Sequence, residues 1–136
     1  MKKTIYAVVF MALLLSSCAN EFNKVYKSTD NNFKYEYAKE SFVKGKYVRA
    51  SSLLQGLVTM QKGSENAQES LYMLGLSEFN SRDYEGAAAT FKKYCQSYPK
   101  GNYTQEARFL IGMSLYNCTP EPRLDQSQTV NAIAAF

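Results

Sequence analysis

Three cysteines, eleven tyrosines and no histidine bound the chemistry open to this chain of 136 residues. Without imidazole there is no Ser–His nucleophile pair and no His-containing metal site. Carboxylates pair at helical spacing in Glu36 with Glu40 and Glu65 with Glu69. Neither pair has a third ligand beside it, so both read as solvated faces. Gly45-Lys46 lacks the upstream glycine and the following Ser or Thr of a phosphate-binding loop. No catalytic residue, metal or cofactor is expected, and the chain does not read as an enzyme. Cys18 stands apart because of what precedes it. Lys2 and Lys3, an apolar run from Ile5 to Leu15, and Ser16-Ser17 follow the charge, length and order of a secretory signal. That run is too short to span a bilayer, which takes about 20 apolar residues.

The chain carries 16 basic and 12 acidic residues, and removal of Lys2 and Lys3 with the signal leaves 14 against 12. No basic cluster forms on one face, so nucleic acid is not an expected partner. The segments are a signal peptide at 1–17, a flexible tether at 18–31 and a folded domain at 32–136. The tether is polar and without sustained apolar period, and Asp30 is placed to cap the first helix. Apolar residues then recur at helical spacing. They predict helices at about 32–44, 47–61, 66–81, 84–97 and 103–117, with another beginning near 125–136. Gly45, Arg82-Asp83 and Tyr98-Pro99-Lys100-Gly101 supply the turns.

The elements repeat. Ala38, Gly75 and Gly112 follow one another at intervals of 37 residues, each in the first helix of a pair. In the second pair Ala87, Phe91 and Pro99 lie 12, 16 and 24 residues after Gly75. This resembles the tetratricopeptide repeat, in which small residues let paired helices approach and a proline ends the second helix. The expected fold is all-α, a helical-hairpin solenoid of about two and a half repeats. Ala38, Ala50 and Leu54 keep the spacing in the first unit. In the third, an insertion of eight residues (TPEPRLDQ) delays Ala132 and Phe136. Because solenoids need about three repeats and a cap, the chain reads as the first part of a longer protein.

Two aromatic columns follow the same interval: Tyr35, Tyr72 and Phe109, and Phe42, Tyr116 and Phe79 between them. Within each first helix the two rings are seven residues apart and share a face. If that face is concave and open, the six rings form a groove for an extended peptide, with Lys39 and Arg108 near enough to meet a terminal carboxylate. Packing between repeats would place rings at the same positions. Cys95 and Cys118 are expected as free thiols. Antiparallel packing offsets them by about eleven residues, roughly 16 Å at 1.5 Å per residue, whereas a disulfide needs Cα atoms within ~7 Å.

The sequence Leu15-Ser16-Ser17-Cys18 resembles the lipobox of bacterial lipoproteins, with Ser17 where Gly or Ala is more usual. The resemblance implies cleavage before Cys18 and lipid attachment to it. Two or three acyl chains hold a protein firmly, since each buried methylene adds ~0.8 kcal/mol. With FKYEYAKESFVKGKYVRASSLLQGLV and YPKGNYTQEARFLIGMSLY, the chain over 18–136 resembles the N-terminal half of the BamD (YfiO) family. That resemblance implies a lipid-anchored outer-membrane protein facing the periplasm. It further implies a scaffold that binds unfolded outer-membrane protein clients and a BamA-like barrel assembly protein. A repeat lipoprotein coordinating cell-wall synthesis, or a glycan-binding outer-membrane lipoprotein, would share the lipobox and the repeat.

Overall fold

A computed structural model describes residues 21–60, 63–64, 66–119 and 126–135. They form six helices, α1 (Asn31–Val43), α2 (Tyr47–Met60), α3 (Ala67–Asn80), α4 (Tyr84–Ser97), α5 (Thr104–Asn117) and α6 (Ser127–Ala135). A helical turn at 21–26 precedes them, and no strand occurs among the described residues. Each helix packs extensively on its neighbours in the chain, α1 on α2 through α5 on α6. That is the expected all-α helical-hairpin solenoid. Cys18, Phe136, the signal segment and most of the insertion lie outside the described residues.

The boundaries follow from local chemistry. Asp30 caps α1 by accepting from the backbone N–H groups of Asn32 at 2.9 Å and Phe33 at 3.0 Å. Asp83 caps α4 by accepting from Gly86 N at 3.1 Å. The first two hairpin turns are copies of each other. Gly45 N donates to Phe42 O and Lys46 N to Ser41 O at 2.9 and 2.8 Å; Arg82 N donates to Phe79 O and Asp83 N to Glu78 O at 3.1 and 2.9 Å. These are the paired bonds of a Schellman ending, which requires a left-handed residue. Gly45 supplies it at φ +70°, and Arg82 supplies it at φ +68° without glycine's freedom. Pro99, exposed just past the end of α4, cannot continue that helix.

The core runs between the helix pairs. Ala38, Ala50, Leu54, Ala87, Phe91 and Tyr94 are fully buried there, and Gly75 and Gly112 are buried with them. Gly75 marks a close approach of α3 and α4, because a Cβ on it would stand 2.6 Å from Phe91 Cε1. A smaller cluster of Ala88, Leu115 and Ala132 joins α4 and α5 to α6.

The expectation of a flexible tether over 18–31 needs correction. Residues 21–26 are helical, and Val25, at 1% exposure, belongs to the main core. Phe22 is half-buried, with the Arg49 guanidinium 5.6 Å over its ring. One aliphatic and one aromatic residue three apart suffice to lay a single polar turn along the first repeat.

Candidate functional site

The two aromatic columns sit where the repeat predicts, but most of their rings face other rings. Tyr35 is 3% exposed and Tyr72 6%. Tyr72 stacks on Tyr103 with centroids 4.4 Å apart and planes at 7°, and it also meets Phe91 at 5.9 Å and Tyr94 at 5.6 Å. Burial first, then the carboxylate of Glu69, holds the Tyr35 phenol well above its ordinary pKa. Burial and then Glu106 do the same to Tyr72. Each carboxylate comes from the first helix of the following repeat, although neither hydroxyl completes a hydrogen bond of normal geometry. In the second column Phe42 meets Tyr47 edge-on at 5.4 Å, and Phe79 meets Tyr84 edge-on at 5.4 Å. Both are half-buried beside their hairpin turns.

A six-ring open groove is therefore not formed. Tyr35 and Tyr72 are sealed beneath the next repeat, and Phe42 and Phe79 brace the turns. The third unit has no following repeat among the described residues. Phe109 is 56% exposed and Tyr116 62%, on one face of α5, and α6 adds exposed Val130 and Ile133. Exposed rings seven apart on a rigid helix are the candidate binding face, of the kind that takes apolar side chains of a partner segment.

Lys39 and Arg108 do not converge. The Lys39 ammonium lies 5.1 Å over the Tyr35 ring and 3.8 Å from Glu36, in the first repeat. Arg108, in the third, approaches Cys95 of α4, where burial outweighs the guanidinium and holds the thiol above its usual pKa. Cys95 and Cys118 are both free and half-buried, as the helix offset requires.

Sequence patterning missed the joint between the second and third units. The fully buried Tyr94 hydroxyl accepts hydrogen bonds from Gln68 Nε2 at 2.6 Å and Tyr103 N at 3.3 Å. Thr104 Oγ1 donates to Tyr98 O at 2.6 Å, tying the loop to the start of α5. A Cβ on Gly101 would stand 2.6 Å from Gln68 Nε2 and 2.8 Å from the Tyr94 hydroxyl oxygen, which accounts for glycine there. The signal was available in the segment YPKGNYT, where three tyrosine-type and hydroxyl positions bracket one glycine. Glu78 was missed too: it is buried, one carboxylate oxygen has no hydrogen-bond partner, and burial raises its pKa.

Among the described residues no group of three His, Cys, Asp or Glu could hold a metal ion. Among them, no helix is long and apolar enough to cross a membrane. An open groove between α4 and α6 displays Glu85, Lys92, Cys118 and Asn131 without converging them on one point.

Comparison with known proteins bears on the same residues. The family model YfiO, described as an outer membrane lipoprotein, matches residues 27–136. A protein of Aquifex aeolicus (strain VF5) named "Putative outer membrane protein assembly factor BamD" is 25% identical over 128 residues. The match takes in 93% of this chain and 42% of that relative, so the chain spans less than half the relative's length.

Proposed function

Because the chain belongs to the YfiO family of outer membrane lipoproteins, we propose that it is a non-enzymatic scaffold for outer-membrane protein assembly. It is held by acylated Cys18 and faces the periplasm. Its partners are segments of unfolded outer-membrane clients and a BamA-like barrel assembly protein. What supports this reading is the family match over residues 27–136, together with the exposed pair Phe109 and Tyr116 on one face of α5. A rigid face of this kind binds through a few aromatic anchors, each a candidate hot spot.

The domain order proposed with this function is a signal at 1–17, a lipid-bearing Cys18, a linker shorter than the composition suggests, and the repeat domain. The test uses the full lipoprotein carrying Phe109→Ala with Tyr116→Ser, since both side chains are largely exposed and their loss should leave the fold intact. C-terminal segments of unfolded outer-membrane barrels should bind the variant at least about tenfold more weakly, as expected when two anchors are removed. Equal affinity in a folded variant would remove this face from the proposal.

A further inference from the structure

The turn at 21–26 alters what the lipid anchor implies, because it belongs to the folded body. Val25 is buried in the main core, and the Arg49 guanidinium covers the Phe22 ring at 5.6 Å. Cys18 precedes Glu21 by three positions. In any conformation, three residues reach at most about 11 Å, at roughly 3.6 Å each. That is about one Debye length at 0.1 M salt. An acyl chain seated at Cys18 therefore keeps this turn within the electrostatic field of the membrane surface. This step rests on the acylation of Cys18 in the proposed function.

The side of the turn away from the core suits that surface. Lys24 and Lys27 are exposed, three apart and on one face. Neither takes part in an ion pair among the described residues, whereas Lys39 is paired with Glu36 and Lys44 with Glu40. Tyr26, 54% exposed beside Lys27 with its ring 6.0 Å from that of Phe22, offers an amphipathic ring of the kind that settles at headgroup level. The nearby Asp30 carboxylate is committed to capping α1. We propose that Lys24, Tyr26 and Lys27 dock on anionic phospholipid headgroups of the leaflet that holds the anchor. Juxtamembrane lysines are drawn to such a surface, weakly beside the acyl chains but enough to fix an orientation. The contact pins the first repeat to the bilayer and presents the α5–α6 end toward the periplasm.

The chain has no tryptophan, so Tyr26→Trp creates a single reporter at an exposed position. The acylated lipoprotein is reconstituted in vesicles of phosphatidylcholine alone or mixed with phosphatidylglycerol, with bromine-labelled lipid as quencher. Quenching of the residue-26 reporter should be about twofold stronger on the anionic vesicles, and Lys24→Ser with Lys27→Ser should abolish the difference. A reporter at Tyr116→Trp should be insensitive to lipid charge. In the unsubstituted protein, amide exchange over 21–27 should be slower on anionic than on neutral vesicles. Equal quenching and equal exchange on both vesicle types, with the protein vesicle-bound, would overturn the docking and leave the anchor standing. A soluble protein with no acyl mass on Cys18 would overturn the anchor, and the docking with it.

Discussion

Tyr72 and Tyr103 stack face to face at 4.4 Å, joining the first helix of the second repeat to the residue just before α5. With Tyr94 and Phe91 packed on the same ring, Tyr72 works as a bolt between repeats. Tyr72→Ala should cost about 3 kcal/mol or more, as for other large-to-small changes of buried aromatics. Phe109→Ala, at the matching position of the third unit, should change stability by less than about 1 kcal/mol because its ring is exposed. Urea unfolding of both variants decides this, and equal destabilisation would show that the two rings share one environment. Tyr72→Phe should be neutral or slightly stabilising, since the hydroxyl it removes is buried without a complete hydrogen bond.

Gly75 tests the close approach inside the second pair. A leucine there must displace the Phe91 ring, whose Cε1 would lie 2.6 Å from the new Cβ. The expected loss is about 1–3 kcal/mol, typical of an overpacked core. A Gly75→Leu protein with the parent's melting temperature would mean that α3 and α4 separate more easily than their packing indicates.

The spacing of small residues made this contact legible in advance, as it did the helix order and the limits of α4, where Asp83 and Pro99 punctuate the chain. Whether a column of rings is open or covered was not legible. Seven-residue spacing places Tyr35 with Phe42, and Tyr72 with Phe79, on one face, but it carries no information about the helix that lands on that face. The turn at 21–26 escaped notice for a related reason, since one valine and one phenylalanine make no periodic pattern until a groove receives them. The Tyr94 joint is specified by a loop, where no period exists.

Glu78 gives the fold a pH dependence of known sign. Burial raises its folded pKa above the ordinary value of 4.5, and Asp83 pushes in the same direction while Thr90 opposes. A carboxyl with a raised folded pKa binds its proton more tightly in the native state. Its unfavourable contribution is therefore absent below 4.5 and grows as pH rises through the folded value. Glu78→Gln should stabilise the protein at pH 7 by about 1 kcal/mol. The gap between variant and parent should close below the ordinary carboxyl value. A gap that stays constant with pH would indicate a packing effect in place of a charge effect.

Cys95 and Cys118 are free thiols whose pKa values are raised, in both cases by burial first. Both should react slowly with iodoacetamide in the native protein at neutral pH and fully in urea, adding two alkyl groups without prior reduction. A cross-linked peptide joining residues 95 and 118 would contradict the helix offset.

Packing that is heaviest between chain neighbours has a consequence for how the molecule comes apart. Stability in such an array is a sum along a line, each unit supported by the units it touches. The helix α6 is short, rests on the small cluster of Ala88, Leu115 and Ala132, and leaves Val130 and Ile133 in water. Among the described helices the sparsely packed α6 should therefore open first, with the joint around Tyr94 the last to exchange its amides. A partner that settles on the α5–α6 end would reverse that order of fraying, so binding there would register as cooperativity in unfolding even at helices the partner never touches.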